Sequence, residues 1–201
     1  MYVYTLLLLG LCGSTLLQGL SAAEATVQDK VMQMVEAHPK ATDKLKKLIK
    51  ERLVQYCTNE VAVQATKVQN DAKMPLDEIK KLNDEWKKAE GQTPLIKEKN
   101  SNAAAQEVKK WMTENPVITE CSVKDAQAAT VGMIGLSGSF WHGDRDKFTD
   151  AFKNGEGGVY IGAPAVDKDT GLLVQKISLP LYGSDKKVIG VLFFSLLPDK
   201  I

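Results

Sequence analysis

The chain has 201 residues, with 26 Lys+Arg against 25 Asp+Glu and a formal net charge of +1. That balance excludes the concentrated basic face of a nucleic-acid binder, and 44% hydrophobic residues suffice for a packed core. With two His, and three Cys at 12, 57 and 121 in no Cys-x-x-Cys spacing, zinc-finger, haem-attachment and iron–sulfur ligand sets are excluded.

Residues 3–17 are uncharged and mostly apolar, and charged sequence begins at Glu24. Ser21 and Ala23 are small residues at the −3 and −1 positions of a signal-peptidase site. Residues 1–23 are therefore expected to be a signal peptide, and the mature protein to be periplasmic or secreted. The alternative is an uncleaved anchor holding the chain to the membrane by its N-terminus, for which about fifteen apolar residues are few against the roughly twenty of a span. Removal of 1–23 leaves Cys57 and Cys121. In an oxidising compartment they are a disulfide candidate; the alternative is two buried thiols.

Residues 24–115 carry helical signals. Thr42 or Asp43 is placed as the N-cap of a long helix. Its apolar positions Leu45, Leu48, Ile49, Leu53, Tyr56, Cys57, Val61, Ala65, Val68 and Ala72 recur in steps of three and four. Pro75 ends that run. A second helix runs from Leu76 through Ile79, Leu82, Trp86 and Ala89 and closes at Gly91. A third spans about 102–114 and stops at Asn115-Pro116.

Residues 116–201 read as strands. The expected strands are 117–123, 129–136, 159–161, 172–182 and 188–197, with Asp167-Lys168-Asp169-Thr170-Gly171 as a hairpin turn. Asp144 is placed as the N-cap of a short helix carrying Phe148, Ala151 and Phe152. The last strand is apolar on both faces, as a central strand should be. The expected fold is α+β: a five-stranded antiparallel sheet with a long N-terminal helix across one face, helices and sheet forming one domain.

Enzyme motifs are lacking. Gly135-Leu136-Ser137-Gly138-Ser139 is not a nucleophile elbow, no phosphate loop is present, and two His leave little for a catalytic triad. His142, Asp144 and Asp146 are spaced as metal donors can be, but Asp144 is better explained as a cap and Arg145 as a competing cation. No enzyme activity, cofactor or metal is expected. Ser139 to Arg145 places two aromatic rings, an imidazole, a carboxylate and a guanidinium in a loop that leads to a helix start. That segment suits either a small-ligand pocket or a loop anchored to the core by Phe140 and Trp141.

Five pieces in order resemble the Cache family of PAS-like extracytoplasmic sensor domains. They are Asn115 to Ala126; Phe140-Trp141-His142-Gly143-Asp144; Gly155 to Ile161; Asp167 to Gly171; and Ile177-Ser178-Leu179-Pro180-Leu181-Tyr182 running on to Val191. The resemblance implies a long helix packed on a five-stranded PAS-like sheet, with a small-molecule pocket on the opposite face. Its amino-acid-recognising members carry Arg-x-Trp-Tyr at the loop–helix junction, a Tyr after the third strand and an Asp after the last. Here those positions hold Arg145, Lys147, Phe148, Ala165 and Ser195, so that clamp is lacking. The expected pocket is lined by Trp141, Asp144, Arg145, Tyr160 and Tyr182 and takes a small polar ligand, a carboxylate in particular. The chain is expected to act without signalling output of its own, through a membrane receptor partner. The alternative is a ligand-free Cache-fold interaction or structural protein.

N-terminal sequencing of the exported protein is expected to begin at Glu24. Recovery of chains that retain residues 1–23 in the membrane fraction would overturn cleavage.

Overall fold

A computed structural model describes residues 25–89, 93–135, 137–168 and 170–201. The expected signal peptide 1–23 lies outside the described residues, as do Gly91 at the end of the second helix, Leu136 at the end of the second strand and Asp169 in the hairpin turn.

The helices come first: α1 (Val27–Ala37), α2 (Asp43–Leu48), α3 (Glu60–Asp71), α4 (Leu76–Lys88), α5 (Pro94–Lys99) and α6 (Ala103–Glu114). A capping box starts α1: the Thr26 hydroxyl accepts from the Asp29 N–H and the Asp29 carboxylate accepts from the Thr26 N–H. The side chains of Thr42, Asn59, Thr93 and Asn102 likewise accept backbone N–H groups of Leu45, Ala62, Ile96 and Ala105 at 2.9–3.3 Å. Helices α1 and α5 are additions to the sequence reading. Val27, Val31 and Val35, all buried, give α1 its inward stripe.

The helix expected over 42–72 is broken. After α2 the backbone widens to a π turn at Ile49–Leu53 and tightens to a 3-10 turn at Val54–Thr58. Asn59 then becomes extended and caps α3. The change of winding keeps Leu45, Ile49, Leu53, Tyr56 and Cys57 buried on the sheet. Past Asn59 the stripe turns outward: Ala62 and Thr66 are buried, while Val61 and Val68 are exposed.

The sheet contains β1 (Ile118–Asp125), β2 (Thr130–Met133), β3 (Tyr160–Ile161), β4 (Ala165–Val166), β5 (Leu173–Tyr182) and β6 (Val188–Leu196). Every pairing is antiparallel, in the order β2-β1-β6-β5-β3, and the two-residue β4 pairs with β5. The α+β class, the antiparallel sheet and the central place of the last strand are as expected. Helix α7 (Asp146–Phe152) follows β2. Its N-cap is Arg145, without a side-chain cap, and Asp144 is exposed. The capping role expected of Asp144 is therefore not filled, because the helix begins one residue too late for it.

Alternation along the strands makes two unlike faces. One carries Cys121 opposite Phe194 and Val123 opposite Leu192, continued by Ile177 and Leu179 on β5. These residues pack in one core with Leu45, Ile49, Leu53, Val108 and Trp111 from the helices. Each fully buried Leu, Ile or Val contributes about 1.5–3 kcal/mol relative to exposure. Tyr56 stacks on Trp111 with ring centroids 4.4 Å apart, and its hydroxyl accepts from Asn115 Nδ2 at 2.8 Å. The opposite face carries Glu120, Ser122 and Lys124 on β1 and Val191, Phe193 and Ser195 on β6, and α7 covers only part of it.

Cys57 and Cys121 share the helix-side core but remain free thiols, which corrects the disulfide expected between them. Burial pushes the Cys57 thiol up to about 12 and raises that of Cys121 as well. The second of the two sequence readings, buried thiols in the core, is the one adopted. Among the described residues no helix is long and apolar enough to cross a membrane.

Helix α6 approaches β2 closely at Gly132. A Cβ there would lie 2.6 Å from Ala104 Cβ and 2.7 Å from the Ala105 nitrogen. Gly132→Ala is expected to destabilise the fold by about 1–3 kcal/mol through overpacking, read as a lower urea midpoint. An unchanged midpoint would show that α6 can withdraw from the sheet freely.

Candidate functional site

The partly covered sheet face encloses a half-open cavity of about 690 Å³. Its floor is sheet, including Glu120, Ser122, Lys124, Lys176, Phe193 and Ser195. Its sides are the 137–139 loop, the start of α7 and the hairpin that holds β4.

The loop before α7 is held by named hydrogen bonds. Asn83 is buried on α4, and its Oδ1 accepts from the N–H groups of Phe140 (3.0 Å) and Trp141 (3.1 Å). Trp86 Nε1 donates to the Ser137 carbonyl at 2.6 Å, and its ring stacks on Phe140. Thr130 on β2 donates its hydroxyl proton to the Phe140 carbonyl at 2.8 Å. Lys124 Nζ donates to that hydroxyl at 2.7 Å. The chain then enters α7, which presents Lys147 to the cavity.

The structure separates the five residues expected to line the pocket. Arg145 and Tyr160 do line the cavity. Trp141 does not: its Nε1 donates to the Gln127 carbonyl at 2.8 Å, and its ring lines a smaller, shallower depression of about 280 Å³ with Phe148 and Phe152. Asp144 is exposed, with its carboxylate 3.4 Å from Arg145 Nε. Tyr182 is buried in the helix-side core with Cys57; the register of β5 on β6 shifts between Leu181 and Tyr182, which takes it out of the alternation that faces the cavity. The loop therefore anchors to the core through its aromatic rings, while its basic side chains reach the cavity. His142 turns inward as Asp144 and Asp146 stay exposed, which separates the three side chains weighed as metal donors. Among the described residues no cluster of three His, Cys, Asp or Glu is placed to hold a metal.

Several lining residues were not singled out for the site from the sequence. Lys124 is 1% exposed. Its Nζ lies 5.4 Å from the centroid of the Phe193 ring, and Lys147 Nζ lies 4.5 Å from the same centroid. His142 packs edge-on against that ring, and its buried Nδ1 has no hydrogen-bond partner among the described residues. The acids of the cavity are engaged differently. Asp167 accepts from Lys176 Nζ at 2.6 Å, and Glu120 accepts from the Ser195 hydroxyl at 2.7 Å. Neither Lys124 nor Lys147 has a carboxylate within 4.0 Å among the described residues. Burial drives the Lys124 ammonium well below the ordinary lysine value, and Lys147 nearby adds to this. Burial, with Lys176 nearby, brings Lys147 down to about 8. Burial followed by the repulsion of Lys124 lowers His142 strongly, so its imidazole is neutral.

No protein-family model matches the sequence, and no curated protein matches it. Among solved structures, the chain is similar to the ligand-binding domain of the Campylobacter jejuni chemoreceptor Tlp3 in complex with 4-methylisoleucine, at 12% identity and a TM-score of 0.39 over 88% of this chain and 62% of that one. The sensor domain of the V. cholerae histidine kinase DctB gives 14% identity and 0.38 over 66% and 57%. An extracellular ligand-binding receptor from Desulfohalobium retbaense gives 14% and 0.36 over 70% and 25%. The chain spans less than two thirds of the length of each of these three.

The buried basic groups set the pH dependence of stability. Lys124, Lys147 and His142 have folded-state values below the ordinary 10.5 and 6.5. Where such groups titrate, the unfolded chain binds more protons, so stability rises with pH. The melting temperature is expected to rise from below pH 6.5 towards pH 9.0, where the raised thiols of Cys57 and Cys121 begin to oppose it. Lys124→Met is expected to flatten the rise. An equal slope in that variant would place Lys124 in contact with water.

Proposed function

We propose that this chain is an exported, non-enzymatic sensor-type domain of Cache character that binds a small anionic ligand, a carboxylate, in the cavity between the sheet and α7. The observation that carries the reading is the pair Lys124 and Lys147 on one Phe193 ring, neither with a carboxylate partner among the described residues, in the wall of an unfilled cavity. About 690 Å³ lies within the range of small-molecule sites. It favours this reading over the ligand-free alternative, in which the chain's own side chains would fill that space.

In this reading Lys147 and Arg145 supply the charge, and Lys124 supplies an N–H donor at the floor. Phe193 and Tyr160 supply flat apolar surface. Glu120 and Asp146 also line the cavity, and they set a limit on ligand charge near their side. Trp141 acts through the loop it anchors, and the ligand does not lie on it.

The test is thermal stabilisation and calorimetry with acetate, lactate and succinate, with lactamide as the neutral control. At least one carboxylate is expected to bind while lactamide does not. Lys147→Met is expected to weaken that binding by about 1.5–3 kcal/mol, the contribution of a charged hydrogen bond. Affinity is expected to fall as the pH rises above about 8, where Lys147 loses its proton. Binding of none of the three carboxylates, or equal binding of lactate and lactamide, would overturn the reading.

A further inference from the structure

Lys124 has more chemistry than an anion site requires. Among the described residues its Nζ has one hydrogen-bond partner, the hydroxyl of Thr130, and that hydroxyl already spends its proton on the Phe140 carbonyl. Thr130 therefore accepts from the lysine. A buried ammonium has three N–H donors to satisfy and a charge to compensate. Here there is one acceptor, a basic neighbour at the same Phe193 ring, and no carboxylate within 4.0 Å among the described residues. These surroundings suit a neutral amine, which keeps a nucleophilic lone pair. His142 lines the same cavity, and its buried Nδ1 has no hydrogen-bond partner among the described residues.

We propose that Lys124 Nζ condenses reversibly with the carbonyl of a 2-oxo acid, so that the cavity captures this class of carboxylate as an imine. The inference rests on the reading of the cavity as an anion site. The carboxylate is held by Lys147 and Arg145 while the adjacent carbonyl meets Lys124. The amine lone pair forms the N–C bond and the carbonyl π pair moves to oxygen; nitrogen gives up its first proton and oxygen takes one, which gives the neutral carbinolamine. Nitrogen then loses its second proton, the hydroxyl leaves as water and the C=N bond closes. The sum is amine plus ketone giving imine plus water, with no oxidation or reduction. Lys147, brought down to about 8 by burial, lies over the same Phe193 ring and is assigned the proton that the departing hydroxyl takes and the one that nitrogen releases. Burial disfavours the ammonium form of Lys124 relative to surface lysines, which gives it selectivity over the other lysines of the chain.

The experiment incubates the chain with pyruvate and sodium cyanoborohydride at neutral pH, followed by intact mass and peptide mapping. Lactate, which has no carbonyl, is the parallel ligand in calorimetry. The expected result is one adduct per chain, equal to one pyruvic acid less one oxygen atom, mapped to Lys124 and suppressed by excess lactate. Lys124→Met is expected to lose the adduct. Mapping on the unaltered chain decides the matter should that variant fail to fold. No adduct, an adduct on Lys147, or labelling spread over surface lysines would overturn the proposal. Binding of both pyruvate and lactate without an adduct overturns only the covalent step; binding of neither overturns the use of the cavity for these anions as well.

Discussion

A short hydrogen-bond chain runs from Lys124 on β1 through the hydroxyl of Thr130 on β2 to the carbonyl of Phe140 in the loop. It joins the sheet to the segment that leads into α7. Asn83 grips the same loop from α4 through the N–H groups of Phe140 and Trp141. With the loop fixed from both sides, the start of α7 has little freedom. His142 and Lys147 are thereby set against Phe193. Preorganisation of this kind removes ordering cost from binding.

The unequal cover of the sheet supplies the space. Helices α1, α2, α3 and α6 seal one face with aliphatic side chains, and their core is dense. On the other face the seven residues of α7 pack on β3, β5 and β6 and leave β1 and β4 largely uncovered. The side chains of that face are correspondingly mixed: Glu120, Ser122 and Lys124 alternate with the aliphatic residues of β1. A strand pattern of this kind normally means one face in water. Here the polar face is roofed, and a lysine becomes buried without changing its place in the pattern.

That is why the fold was legible in the sequence and the site only partly so. Alternation in 117–123 and the apolar run 188–197 carry local information, and the sheet followed from them. Thr42, Asn102 and Pro75 marked helix boundaries for the same reason. The break at Asn59 was missed because apolar spacing continues across it: Tyr56 and Cys57 remain inward through a change in winding that periodicity does not register. Helix α1 was missed although Thr26, Asp29 and the spacing of Val27, Val31 and Val35 announce it. Within the site, Arg145 and Tyr160 were expected and line the cavity; Lys147 and Ser195, which the resemblance marked only as departures from the amino-acid clamp, line it as well. Lys124 carried no such flag, since a lysine at the polar position of a strand reads as solvated until the opposite element is known. Trp141 drew attention as an aromatic in a loop, yet its indole N–H is used on Gln127 and its ring on the outer depression.

The free thiols have a consequence of a kinetic kind. Cys57 is fully buried, Cys121 is 3% exposed, and both are pushed towards the protonated form that does not attack disulfides. Exchange with a small disulfide in the surroundings then has to wait until the helices lift from the sheet. Strand β1 is paired on both edges, and Cys121 lies against the same core as the turn that carries Cys57. The interval during which the newly made chain is vulnerable to oxidation is therefore the interval before this core closes. Afterwards, survival of the thiols is governed by how rarely the closed state opens.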